Sequence, residues 1–155
     1  MKLIYEFRTR PKDNYINEAD WHNLYVLTEH WKSDLIFYKN DLRFLHHLIE
    51  NYFMWLTKKE NIVRVQQIDV DLLNVEKQCT LLLEKTNKHL HHLSELMDNA
   101  FAYDSHQFRA EHDILEDELS QFIKDFRKNR KDVFKITEQI IESEEMVRQL
   151  NVTAE

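Results

Sequence analysis

Residues 21–56 read WHNLYVLTEHWKSDLIFYKNDLRFLHHLIENYFMWL, and the spacing of the apolar residues in this stretch determines the fold class. Large apolar side chains recur at steps of three or four residues, which aligns them along one face of an α-helix. We call such a line of residues the seam of its helix. The first seam comprises Trp21, Leu24, Thr28, Trp31, Leu35, Tyr38, Leu42, Leu45, Ile49, Tyr52 and Leu56.

Two further seams follow, and neither continues the register of the first. The second comprises Val65, Ile68, Leu72, Val75, Cys79, Leu82, Thr86, His89, Leu93 and Leu96. The third comprises Phe108, His112, Leu115, Leu119, Phe122, Phe126, Asn129, Val133, Ile136, Ile140, Val147 and Leu150. Three seams of similar length joined by short connections indicate neighbouring antiparallel helices.

Capping residues locate the helix ends. Asn17 is a favourable N-cap for the first helix, which would place Asp20 at the third helical position. The change of register predicts a break between Thr57 and Asn61, where Thr57 and Glu60 have the spacing of a capping box. One continuous helix stays an alternative, because this stretch contains neither glycine nor proline.

The connection between the second and third helices spans residues 99–105. Asn99 is expected in the left-handed position that often ends a helix. Asp104 or Ser105 is expected to cap the helix that follows.

The predicted fold is therefore an all-α, up-down-up antiparallel bundle of three helices at about 17–57, 61–98 and 105–150, with coiled-coil-like packing. Residues 1–16 would form an N-terminal arm, and residues 17–155 a single domain. The sequence contains no glycine, and its only proline is Pro11. Phosphate-binding loops, dinucleotide-binding turns and nucleophile elbows require glycine, so these enzyme classes are excluded.

Charge and cysteine content indicate the environment. The formal charge of −7 disfavours nucleic acid as a partner. One basic run is interrupted by Asp125 and Asp132, and we interpret it as a solvated helix face. The run comprises Lys124, Arg127, Lys128, Arg130, Lys131 and Lys135.

A single cysteine, Cys79, fits a reducing compartment. The apolar run at Leu3 and Ile4 is too short for a signal peptide. No stretch has the length and hydropathy of a membrane span. We therefore expect a cytoplasmic protein that does not bind membranes.

Residues Trp31 to Phe53 carry the one resemblance to a known family. The segments concerned are Leu35 to Lys39, Leu42 to Leu45, and Tyr52 with Phe53. This part of the chain resembles small uncharacterised all-helical proteins of Bacteroidota bacteria. The resemblance implies a bacterial cytosolic bundle, and it implies no activity.

Nine histidines raise the question of a metal site. Counting outward from the connection near position 102 places residues 89–92 opposite residues 113–116. His89, His92, His112 and Glu116 could then converge as ligands of the types that zinc and iron accept. The alternative is a buried polar layer of Thr28, Thr86, His89 and His112 that sets the helix register.

Three apolar residues of the first helix lie off its seam, namely Ile36, Phe37 and Phe44. Phe37 and Phe44 are seven residues apart, so they share one outward line on the helix. Val63 and Val70 repeat this spacing in the second helix, and Phe134 and Ile141 repeat it in the third. Exposed apolar stripes of this kind often mark protein interfaces.

The sequence thus favours a non-enzymatic structural or protein-interaction bundle that forms a homo-oligomer or binds a helical partner, without a cofactor. The alternative is a bundle that binds zinc or iron through His89, His92, His112 and Glu116.

Overall fold

The computed structural model describes residues 20–51 and 62–153, with side chains described up to residue 142 except at position 140. These residues form three helices, α1 (Trp21–Asn51), α2 (Ile62–Asp98) and α3 (Ser105–Thr153). The helices pack against one another as an all-α, antiparallel three-helix bundle, which confirms the predicted fold class.

Helix α1 is capped by Asp20. The backbone N–H of Asn23 donates to Asp20 Oδ1 at 2.7 Å, the bond expected of an N-cap carboxylate. Asp20 therefore precedes the helix instead of occupying its third position. The expected cap, Asn17, lies outside the described residues.

Helices α1 and α2 are separate elements. Cys79 Sγ donates a hydrogen bond of 3.4 Å to the backbone carbonyl of Leu35, although the two residues are 44 positions apart. In one continuous helix they would lie about 65 Å apart at a rise of about 1.5 Å per residue. The contact excludes that alternative. The predicted break, with Thr57, Glu60 and Asn61, lies outside the described residues.

Side-chain caps shape the connection between α2 and α3. Asp104 Oδ1 accepts from the backbone N–H of Gln107 at 3.0 Å, which confirms Asp104 as the N-cap of α3. Asn99 Oδ1 accepts from the backbone N–H of Phe101 at 3.0 Å. No described residue has a positive φ, so the left-handed conformation expected for Asn99 was wrong. The Asn99 side chain stabilises the turn by accepting a hydrogen bond from the backbone two residues later.

The chain divides into two compact units, and each unit takes a segment from every helix. The first unit comprises Met1–Lys39 and Gln78–Lys124, and the second comprises Asn40–Lys77 and Asp125–Glu155. The prediction of a single domain over residues 17–155 stays a prediction.

Each unit has its own apolar core. In the first unit the buried apolar residues are Leu24, Leu27, Trp31, Leu35, Cys79, Leu82, Leu93, Leu96, Phe108, Leu115, Leu119, Phe122 and Ile123. In the second they are Leu42, Leu45, Ile49, Val65, Ile68, Leu72, Val75, Phe126, Val133 and Ile136. Every predicted seam residue of α2 is buried, as is every seam residue of α3 through Ile136.

Two buried polar residues, Thr28 and Asn129, form hydrogen bonds within their own unit. In the first unit Thr28 donates to the carbonyl of Leu24 at 2.7 Å, one helical turn earlier. In the second unit Asn129 Nδ2 donates to the carbonyl of Ile68 at 3.2 Å and so joins α3 to α2. Such bonds offset the cost of removing polar groups from water.

We expect Asp104→Ala to lower the free energy of unfolding by about 1 kcal/mol, because α3 loses its N-cap. Urea denaturation measures this change. Asp98→Ala is the matched control, since Asp98 lies exposed at the other end of the same connection. A loss from Asp104→Ala no larger than the control's would contradict the cap.

Candidate functional site: a buried histidine pair

Two histidines meet in the core of the first unit. His89 on α2 and His112 on α3 are 5% and 0% exposed, and 2.6 Å separates His89 Nε2 from His112 Nδ1. A neutral imidazole carries one N–H, so one ring donates this hydrogen bond and the other accepts it. We refer to these two residues as the histidine pair.

Aromatic rings enclose the histidine pair on both sides. Trp31 of α1 stacks on His112 with ring centroids 4.7 Å apart, and Phe108 stacks on His89 with centroids 4.2 Å apart. All four rings belong to buried residues. The stacking therefore keeps water from most of the pair.

Burial sets the charge of the pair. Desolvation, with a smaller contribution from the nearby His92, lowers the pKa of His89 from 6.5 to about 4. An ion in a poorly solvated site is costly, so the neutral ring is favoured. At neutral pH His89 is uncharged.

The other two predicted ligands do not join the pair. The ring of His92 stacks on Tyr103 with centroids 4.7 Å apart. Glu116 is buried and lines a small cavity together with Trp31 and Asp34. Among the residues whose side chains are described, no group of three or more histidine, cysteine, aspartate or glutamate residues could hold a metal ion.

The polar-layer interpretation has support from burial. Its four members, Thr28, Thr86, His89 and His112, are all buried in the first unit. Thr28, His89 and His112 make side-chain hydrogen bonds, whereas Thr86 Oγ1 has no hydrogen-bond partner among the described residues. The pair itself connects α2 to α3, as a register-setting layer requires.

A cavity of about 240 Å³ lies beside His89, between α2 and α3. Its lining residues are Lys85, Lys88, His89, His92, Tyr103, Glu111, Ile114, Leu115 and Glu118. Of these lining residues, His89 and His92 were predicted from the sequence as candidate functional residues, and the others were not. Tyr103 could have been predicted from its position, because an aromatic residue directly before the Asp104 cap is close enough to contact the end of α2.

Four charged side chains of the cavity lining balance one another. Lys85 Nζ lies 2.8 Å from Glu118 Oε2. Glu111 Oε1 accepts from the hydroxyl of Tyr103 at 2.8 Å, and this hydrogen bond raises the pKa of Tyr103. Lys88 contributes the fourth charge. The lining thus has two cations and two carboxylates around a neutral His89.

Cys79 is not a nucleophile in this environment. Its side chain is 1% exposed, and its thiol donates to the Leu35 carbonyl. Desolvation raises the pKa of the thiol to about 11, so the reactive thiolate is scarce at neutral pH. Cys79 serves as a small core residue.

The residues predicted to form an outward stripe on α1 are exposed. Ile36 and Phe37, in the first unit, are 45% and 65% exposed. Phe44, in the second unit, is 51% exposed. Large apolar side chains with this much contact to water are candidates for burial against a partner.

In the second unit, Phe44 is part of a small aromatic surface. Its ring centroid lies 6.4 Å from that of Phe134 on α3. The guanidinium of Arg130 lies 4.6 Å from the Phe134 centroid, and Arg130 Nε also donates to Asp41 at 3.1 Å. These contacts restrain Phe44 from one side and leave half of it exposed.

No protein-family model, curated protein or solved structure matches this chain. The resemblance of Trp31 to Phe53 to Bacteroidota proteins therefore stays an expectation. In the part of the chain that the structure describes, no helix combines the length and apolar character needed to cross a membrane.

The depressed pKa of His89 predicts acid sensitivity. In the unfolded chain His89 becomes protonated below about pH 6.5, whereas in the folded chain it becomes protonated only near pH 4. The stabilisation from neutral His89 is therefore complete above pH 6.5 and is lost as the pH falls toward 4. The loss amounts to about 3 kcal/mol.

Urea denaturation at about pH 7.5, 5.5 and 4 measures this loss. His89→Gln should remove about 3 kcal/mol of the pH dependence. The control variant His91→Gln alters an exposed histidine of the same helix and should leave the dependence unchanged. Equal pH dependence in the wild type and His89→Gln would contradict the assignment.

Proposed function

We propose that this protein is a non-enzymatic helical bundle that binds a second copy of itself through the outward side chains of α1. The observation that carries the proposal is the exposure of Phe37, at 65%. Ile36 beside it is 45% exposed, and Phe44, seven residues further along the sequence in the second unit, is 51% exposed. We call these three residues the α1 stripe.

The energy of burial supports association. Burying one phenylalanine side chain contributes about 1.5–3 kcal/mol. A two-fold interface buries the same residues on both copies, so Phe37 and Phe44 would each count twice. Because Phe37 and Phe44 are only 65% and 51% exposed in one copy, the sum is about 4–7 kcal/mol. A micromolar dissociation constant corresponds to roughly 8 kcal/mol, so neighbouring residues such as Ile36 would have to contribute as well.

A second copy suits the chemistry of the stripe. In a two-fold dimer the same patch faces itself, so an apolar stripe meets an apolar stripe and requires no complementary charge. In the second unit, the ion pair of Asp41 and Arg130 borders the stripe beside Phe44 and Phe134. Polar groups at the edge of an apolar centre are typical of protein interfaces.

The rest of the molecule supplies structural roles consistent with this proposal. The histidine pair is held inside the first unit by a hydrogen bond and by stacking. Cys79 is buried and protonated. We assign no catalytic group, and we expect the protein to act in the cytoplasm, where its lone thiol stays reduced.

Sedimentation analysis across protein concentration tests self-association. We expect a wild-type dimer at micromolar concentration, and at least a tenfold weaker dimer for Phe37→Ser with Phe44→Ser. Phe101→Ser is the matched control, because Phe101 is 94% exposed and lies in the connection between α2 and α3. Circular dichroism verifies that each variant stays folded.

Two results would overturn the proposal. The first is a wild-type protein that stays monomeric at millimolar concentration. The second is a dimer that Phe101→Ser weakens as much as the stripe variant does, since the interface would then lie elsewhere.

A further inference from the structure

We infer that the cavity beside His89 binds a small neutral molecule with an apolar body and one hydroxyl group, such as a phenol. This inference is independent of self-association. It rests on the cavity of about 240 Å³ and on the ring of His89 in its wall.

His89 offers the cavity a free hydrogen-bonding nitrogen. Its Nε2 is engaged by His112, whereas its Nδ1 makes no hydrogen bond among the described residues. The residue is only 5% exposed and lines the cavity. A ligand hydroxyl in the cavity can bond to this nitrogen, whereas an apolar ligand would displace water from it and leave it without a partner.

The histidine pair makes a hydroxyl the suitable ligand group. If His89 donates to His112, its Nδ1 is an acceptor; if His112 donates to His89, that Nδ1 carries the hydrogen. A hydroxyl is both donor and acceptor, so it can bond to His89 in either arrangement.

The surrounding charges favour a neutral ligand. Glu118 lies opposite Lys85 at 2.8 Å, and Lys88 and Glu111 supply one further charge of each sign. His89 adds no charge at neutral pH. The lining therefore has no net charge at neutral pH, and an ionic ligand would find no net countercharge in it.

The size of the cavity and its apolar wall limit the part of the ligand that does not bond to His89. Ile114 and Leu115 of α3 supply apolar wall. The cavity volume is below the roughly 300–1,000 Å³ of sites for drug-sized ligands, so it suits a smaller molecule. A single aromatic ring with one hydroxyl combines these properties.

Calorimetry on the full chain at neutral pH tests the inference with three probes, namely phenol, toluene and benzoate. Phenol should bind with one-to-one stoichiometry. Toluene has the same shape without a hydroxyl, and we expect it to bind about tenfold more weakly because His89 Nδ1 stays unpaired. Benzoate should bind no better than toluene.

Substitutions locate the site. His89→Leu should weaken phenol about tenfold and leave toluene nearly unchanged. His91→Leu, a matched change at an exposed position of α2, should alter neither affinity. If His89→Leu fails to fold, Ile114→Trp replaces it, because Ile114 is 58% exposed and a larger side chain there should fill the cavity and abolish phenol binding.

Four outcomes would overturn the inference. They are an absence of saturable phenol binding, equal affinity for phenol and toluene, tighter binding of benzoate than of phenol, and unchanged phenol affinity in both cavity variants.

Discussion

The hydrogen bond between His89 and His112 is the constraint on which the first unit depends. Both rings are buried, and 2.6 Å separates their facing nitrogens. Removing either ring would leave the other with an unpaired buried nitrogen, at a cost of about 1–3 kcal/mol. A shift of one residue along either helix would turn one ring by about 100° and break the bond. The pair therefore selects one register of α2 against α3.

The same burial determines the chemistry around the pair. Stacking on Trp31 and Phe108 excludes water, and the resulting desolvation keeps His89 neutral at physiological pH. Neutral His89 carries one ring hydrogen, so its Nδ1 is an acceptor when Nε2 carries that hydrogen and a donor when Nε2 does not. His89 therefore has two places in the structure, since it stabilises the core of the first unit and also lines the cavity.

Helical spacing predicted the three elements and their buried seams because an α-helix repeats its faces every three or four residues. It missed buried residues directly beside seam positions, namely Leu27, Glu116, Ile123 and Thr137. Each helix of a three-helix bundle packs against two others, so its buried face is wider than one seam. Glu116 shows the consequence, since it flanks the seam of α3, is buried, and lines a small cavity with Trp31 of α1.

The histidine contact was predictable and the cavity was not. Counting residues from the connection near position 102 placed residues 89–92 opposite 113–116, one position from His112, because the two helices leave a short turn in opposite directions. The directions of His92 and Glu116 depend on packing with Tyr103 and Trp31, which residue spacing does not encode. An unfilled volume likewise arises from the sizes and rotamers of many side chains together.

Nitrogen-15 NMR of the histidine side chains at neutral pH tests the central claim most directly. The account predicts that His89 and His112 are both neutral, with one hydrogen on the two nitrogens that face each other and a scalar coupling across that bond. Exposed His91 serves as an internal reference. A doubly protonated ring in the pair, or hydrogens on both facing nitrogens, would contradict the account.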